Sequence, residues 1–186
     1  MMMTVASSIL HLVTFAYLAA TISAYTIHFQ NSCSYTVWAA VGKAPNGQPD
    51  TSVSFGQQLS SGQSADFGVA DNQLGIRAWG RTGCDGSGAN CQTGACNGGL
   101  VCTDAGITSR ALLSEYGIGT DGRIYWDLSY VGGQINIPTR LTGPDGQEVY
   151  CANGNCPNTQ AFQNSEDFGA IRNSAQGGTY NHHFCG

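Results

Sequence analysis

The chain reads as an all-β protein, an antiparallel sandwich or barrel held by disulfides. Three observations predict this. Eight cysteines lie beyond residue 24. Turn dipeptides punctuate the same region: Asn46-Gly47, Ser61-Gly62, Asp85-Gly86, Asn97-Gly98, Asp121-Gly122, Asp145-Gly146, Asn153-Gly154 and Gly177-Gly178. Such pairs supply the positive φ that tight hairpins need. Between them run short β-branched and aromatic segments, the pattern of a many-stranded, turn-rich fold.

In chain order, the first element is not a strand. Met1 to Ala24 holds no Lys, Arg, Asp or Glu, has its apolar heart at Ile9 to Ala20, and ends in Ser23 and Ala24. This is the pattern of a secretory signal peptide over 1–24. The apolar run is short for a membrane span of ~20 residues, and no later stretch is long enough. One domain, 25–186, follows, and it contains every cysteine. Tyr25 to Phe29 alternates in polarity and predicts a strand. Tyr35 to Trp38, Ile76 to Trp79, Ile124 to Tyr130 and Thr179 to Phe184 are further strand candidates. Thr108 to Tyr116 fits either a helical or a strand period.

Composition excludes several functions. Gly contributes 26 of 186 residues, about twice the usual ~7% share, but with no three-residue period and hence no collagen. With 7 Lys+Arg against 12 Asp+Glu and no basic run, the chain is a poor ligand for nucleic acid or an anionic membrane surface. The cysteines Cys33, Cys84, Cys91, Cys96, Cys102, Cys151, Cys156 and Cys185 read as disulfides, because an extracellular setting favours them. Their gaps do not match zinc spacing. His182 and His183 are adjacent and point to opposite faces of a strand, so no metal is expected. Gly86 to Ala89 lacks the G-K-[ST] of a phosphate loop, and no cofactor is expected. His28, His182 and His183 have no nucleophile at a recognisable spacing. Spacing alone leaves the cysteine pairing open.

The stretch Trp79 to Cys102, WGRTGCDGSGANCQTGACNGGLVC, resembles the signature of the thaumatin-like (pathogenesis-related group five) family. The family's C-x-T-G-D-C stands as Cys91 to Cys96, with Ala95 in place of Asp. Asn31 to Ala40, Gln58 to Gly62, Asp127-Leu128-Ser129 with Asn136-Ile137-Pro138, and Phe184-Cys185 also match family segments. The resemblance thus runs from end to end of the proposed domain. It implies a flattened antiparallel β-sandwich of the small type. Tyr150-Cys151 is followed almost at once by Cys156-Pro157, where large members insert a second domain. It also implies the pairing Cys33–Cys185, Cys84–Cys91, Cys96–Cys102 and Cys151–Cys156. In the chain-entropy account the first of these stabilises by about 5 kcal/mol and each short loop by roughly 2–3.

The resemblance further implies a cleft. Its Arg maps to Arg77, its Glu to Glu115 and its first Asp to Asp127. A second acid falls on Gly132 or Gly133 and is missing; the last falls near Glu166-Asp167. Paired carboxylates suit glycoside cleavage, because one must donate a proton while the other is ionised. Glu115 as acid and Asp127 as partner is the sensible assignment, and crowding separates their pKa values. The structural alternative pairs Arg77 with Asp127 and leaves Glu115 solvated. Tyr125 and Tyr130 stand beside these acids as candidate sugar platforms; Tyr125 shares a strand face with Asp127. Trp38 and Trp79 are expected in the core.

Three functions remain in view for a secreted, extracellular monomer. The leading one is binding of β-1,3-glucan or another cell-wall polysaccharide, with an antifungal or wall-modifying role. The second is weak endo-β-1,3-glucanase activity through Glu115 and Asp127. The third is inhibition of a glycanase such as a xylanase, or an effector role. The third would use an exposed loop, Lys43 to Asp50 or Asp104 to Ser109.

Overall fold

The computed structural model describes residues 24–103 and 110–186. Among these described residues run eleven strands: β1 (Ala24–Asn31), β2 (Val37–Lys43), β3 (Asp50–Leu59), β4 (Ser64–Ala70), β5 (Ile76–Arg81), β6 (Leu113–Ile118), β7 (Ile124–Ser129), β8 (Thr139–Thr142), β9 (Glu148–Cys151), β10 (Arg172–Ser174) and β11 (Thr179–Phe184). They form two sheets, β4-β1-β11-β8-β9 and β10-β7-β6-β5-β2-β3, so the sandwich is realised and not the barrel. The leader expected over 1–24 lies outside the described residues, except Ala24, which opens β1 opposite Ala70. No helix among the described residues is long and apolar enough to cross a membrane.

Period-two patterning explains the layers. Tyr25, Ile27 and Phe29 of β1 are buried, while the residues between them are not fully so. From the larger sheet, Val37, Ala39, Val41, Ile76, Ala78, Tyr116, Ile124, Trp126 and Leu128 join the same core. Tyr180 stands at its centre. Tyr25, Tyr116 and Trp126 meet its ring edge-on at 5.3, 5.2 and 5.8 Å between centroids, a favoured aromatic geometry. In the ambiguous segment 108–116, Leu113–Tyr116 belongs to β6, with Ser114 and Tyr116 inward and Leu113 and Glu115 outward. Residues 108 and 109 lie outside the described residues. The hairpin at Gln58 to Gly62 joins β3 to β4. Gln63 N–H donates to Ser60 O at 3.0 Å, and Gly62 takes φ +81°, which a side chain would resist.

One strand pair departs from the antiparallel expectation. β1 and β11 run parallel, from Thr26 opposite Thr179 to Asn31 opposite Phe184. Parallel neighbours need a long connection, and here nearly the whole domain supplies it. Two residues beyond the pair, Cys33 bonds to Cys185 across a sequence separation of 152. All four pairings implied by the resemblance are formed, the other three being Cys84–Cys91, Cys96–Cys102 and Cys151–Cys156.

The adjacent histidines separate as parity requires. His183 is half-buried and lies 2.7 Å from Ser32 Oγ. His182 is fully buried between Phe29 and Phe184. Its Nδ1 lies 3.0 Å from Ser114 Oγ. Ser114 in turn donates to Ala78 O at 3.1 Å and accepts from Tyr116 OH at 3.2 Å. The tautomer that satisfies all three bonds carries its proton on Nδ1. Nε2 then faces apolar surroundings with no partner among the described residues, and burial pushes the His182 pKa down to about 3.

A neutral histidine in the core is a stability term with a sign. Between its ordinary pKa of 6.5 and about 3, the unfolded chain binds the proton and the folded one does not. Stability therefore falls as pH drops through this window, at a limiting slope of about 1.4 kcal/mol per pH unit. Urea unfolding at pH 7 and pH 4.5 checks this. Wild type should lose stability at the lower pH, and His182→Phe should lose distinctly less. An unchanged difference would remove His182 as the cause.

Candidate functional site

The outer face of the larger sheet is divided in two. Over one half folds the cysteine-rich segment that follows β5. Trp79 and Arg81, both fully buried, point outward into it. Trp79 Nε1–H donates to Gly94 O at 3.0 Å. Arg81 donates to Trp38 O at 3.3 Å, Gly88 O at 3.1 Å, Gly99 O at 2.7 Å and Leu100 O at 2.6 Å. The bonds Cys84–Cys91 and Cys96–Cys102 close the segment's two lobes. In the first lobe Asp85 accepts from Ser87 and Ala89 N–H at 2.9 and 3.1 Å. Hydrogen bonds from the Ser87 and Asn90 side chains, then from these amides, hold its carboxyl down at about 2.

The other half carries the predicted acids. The sheet register places Gly42 beside Arg77, Arg77 beside Glu115 and Glu115 beside Asp127. Four strands thus present one row, and alternation turns its side chains to the outer face. Arg77 Nε–H donates to Glu115 Oε1 at 2.9 Å. The guanidinium therefore engages Glu115 and not Asp127, the partner of the structural alternative. Above the row opens a cleft of about 540 Å³, whose wall includes Arg77, Leu113, Glu115, Tyr130, Gly132 and Phe162.

Asp127, next to Glu115 in the row, does not line this wall. Its Oδ1 is sealed from solvent and has no hydrogen-bond partner among the described residues. Burial first, then the negative charge of Glu115, pushes its carboxyl well above the usual carboxylate range. Like charges one strand apart cannot both ionise cheaply. The electrostatics raise the proton affinity of Asp127, the carboxyl expected as partner to Glu115. Asp127 is the carboxyl pushed toward its protonated form, and Glu115 accepts from Arg77.

Of the tyrosines, Tyr130 lines the cleft. Burial, then the charge of Asp167, raises its phenol pKa. Tyr125 shares the outward parity of Asp127, but its hydroxyl donates to Asp121 Oδ2 at 3.1 Å and it is off the cleft wall. Glu166 and Asp167 are also off the wall, although Ser165 is on it. Asp167 is a turn cap, accepting from Gln163 N–H at 2.9 Å and Asn164 N–H at 3.1 Å. These bonds, Gln163 foremost, lower its pKa. Gly132, where one alignment puts the missing acid, does line the cleft, at φ +67°.

Phe162 has no local signal in the sequence. β10 covers only the first half of β7. Beyond it the 162 segment takes over the same strand, Phe162 N–H donating to Leu128 O and Tyr130 N–H to Phe162 O, at 2.8 and 3.0 Å. The loop expectation at 104–109 lies outside the described residues. The 43–50 loop is described and touches the cleft through Gly47. Among the described residues, no three His, Cys, Asp or Glu side chains are grouped to hold a metal ion.

A two-sheet sandwich with four disulfides, a cysteine-rich cover on one sheet and a charged cleft beside it defines a small disulfide-stapled β-domain. The chain belongs to the thaumatin family, whose profile matches residues 31–185. It is 35% identical over 155 residues to the thaumatin-like protein PWIR2 of Triticum aestivum, covering 82% of this chain and 83% of that one. It is 35% identical over 167 residues to thaumatin-like pathogenesis-related protein 4 of Avena sativa, covering 89% of each. Among solved structures, the thaumatin-like xylanase inhibitor TLXI shares the fold, with a TM-score of 0.63 and 24% identity over 86% of this chain and 99% of that one.

Asp127 gives the site a measurable pH signature. Its folded pKa is raised, so its contribution to stability is fully present below 3.8 and is lost as pH rises toward the folded value. Asp127→Asn should remove this limb and leave the variant at least as stable as wild type at pH 8. Thermal unfolding across pH 4 to 8 checks it. A variant that keeps the wild-type pH limb would remove Asp127 as its cause.

Proposed function

We propose that this protein is secreted and binds β-1,3-glucan or a related cell-wall polysaccharide in the Arg77–Glu115 cleft, with an antifungal or wall-modifying role. The observation that carries the reading is the cleft itself. Its volume of about 540 Å³ is in the range of small-ligand sites. Its wall combines a mutually neutralised ion pair with Tyr130 and Phe162. Such a wall offers a neutral sugar hydrogen bonds at its edges and apolar surface for its C–H faces. The thaumatin-like, pathogenesis-related names of the cereal relatives support the same setting.

The chemistry favours holding over cutting. Hydrolysis needs one carboxyl to protonate the leaving oxygen. Asp127, the carboxyl whose proton affinity is raised, does not line the cleft, and Gly132 brings no carboxylate to replace it. Retention on insoluble β-1,3-glucan is the test. Wild type should be retained, and Arg77→Ala and Glu115→Ala should each weaken retention about tenfold, the scale of one charge-assisted contact. No reducing ends should appear from laminarin between pH 4 and 7. Equal retention of both variants would overturn the site, and steady release of reducing ends would overturn the binding-only reading.

A second reading, inhibition of a glycanase, draws on the loop at 43–50. Its base is clamped by Lys43 Nζ and Asp50 Oδ2 at 2.8 Å, while residues 46–49 stand exposed beside the cleft. A short, pinned, protruding loop loses little entropy on entering another protein's cleft. Titration of a xylanase with this protein checks the idea. Inhibition should be lost when Asn46 and Gln48 are both changed to Ala, and a flat titration by wild type excludes that enzyme as the partner.

A further inference from the structure

We infer that the glycan site continues past the Arg77–Glu115 cleft into an uncharged subsite at Tyr35 and Trp38, so that the protein holds an extended stretch of neutral polysaccharide. The inference rests on the glycan-binding reading above and specifies where the rest of the chain lies.

Three hollows follow one another along the outer face. The cleft is bordered by Ala111 and Gly132. The next hollow, about 410 Å³, is bordered by their near neighbours Arg110 and Gln134, and by Gln92 on its far side. Gln92 also borders the third hollow, about 440 Å³, together with Tyr35, Trp38, Thr82 and Asn136. The segments 110–113 and 130–136 therefore run beside the track. Its length follows from β2. Gly42 lies beside Arg77 at one end, and Trp38 beside Arg81 at the other. Four strand residues at ~3.4 Å each separate them, about 14 Å.

The outer hollow has the chemistry of a saccharide platform. Tyr35 is 44% exposed, although the ring is large and apolar, and Trp38, only 8% exposed, lines the same hollow. Thr36, Thr82 and Gln92 supply groups that both donate and accept, as sugar hydroxyls require. Among the described residues, no carboxylate lines the second or third hollow, and Arg110 is the one charged side chain there. A polyanion would call for several cations, so the chemistry selects a neutral glycan.

The track is also built in advance. Asn136 Nδ2–H donates to Gly80 O and to Thr93 Oγ1, both at 2.9 Å, and its Oδ1 accepts Leu112 N–H at 3.1 Å. One amide thereby ties β5, the cysteine-rich segment and the chain entering β6. Thr82 Oγ1 and Thr93 Oγ1 lie 2.7 Å apart across the same junction. A wall held in this way costs little to order when the ligand arrives.

Calorimetric titration with a β-1,3-linked tetrasaccharide and a long-chain soluble β-1,3-glucan separates the outcomes. The double variant Tyr35→Ala, Gln92→Ala should bind the long chain about tenfold more weakly than wild type, the scale of one lost aromatic platform. It should bind the tetrasaccharide as wild type does, which also shows that it is folded. Arg77→Ala should weaken both ligands. If the double variant binds the long chain as wild type does while Arg77→Ala weakens it, the outer subsite is refuted and the cleft stands. Equal weakening of both ligands in the double variant also refutes it. If wild type binds neither glycan, the cleft reading falls and takes this inference with it.

Discussion

The guanidinium of Arg81, sealed beneath the cysteine-rich segment, governs the functional face. A buried cation costs several kcal/mol unless its donors are satisfied. Here the acceptors are backbone carbonyls of Trp38, Gly88, Gly99 and Leu100. One lies on β2, one at Gly88, and two at the adjacent Gly99 and Leu100 further along the covering segment. The segment can satisfy the cation only by folding back over β5 with these carbonyls turned inward. Gly88 permits that turn at φ +74°, and a side chain there would strike Leu100 Cα at 2.7 Å. The two short disulfides then hold a shape that the Arg81 bonds select.

Everything functional follows from what this cover leaves open. It takes the Trp79 and Arg81 end of the outer face and spares the row from Arg77 to Asp127. Within that row the charges settle locally. Arg77 offsets Glu115, and the raised proton affinity of Asp127 eases the remaining repulsion. A chain of net charge −5 thus presents a cleft that is close to neutral, a surface suited to sugar hydroxyls more than to ions. The cover's own edge, at Gln92 and Thr93, becomes the wall along which the site extends.

Beneath this face the scaffold resists change for two reasons. The parallel pairing of β1 with β11 has no hairpin to hold it, and the Cys33–Cys185 bond supplies the missing link. Closing so long a loop removes about 5 kcal/mol of chain entropy from the unfolded state in advance. The core, in turn, carries a polar cluster of Tyr116, Ser114 and His182. His182 and Asp127 act in opposite directions on stability as pH changes, the first favouring neutral conditions and the second acid ones.

Much of this was legible in the residues themselves. Alternation in Tyr25 to Phe29, the parity of Tyr125 with Asp127 and the split of His182 from His183 are local consequences of a two-residue period. The short strands β8, β9 and β10, at three or four residues each, carry too few positions to show a period. The family signature carried the four disulfide pairings and the row Arg77, Glu115 and Asp127. Tertiary structure decided the rest. It placed Arg77 on Glu115, sealed Oδ1 of Asp127 off the cleft, made Asp167 a turn cap, and brought Phe162 to the edge of β7. Each of these depends on which strands become neighbours and what covers them. Those contacts join residues far apart in the chain, where local propensity and spacing carry no information.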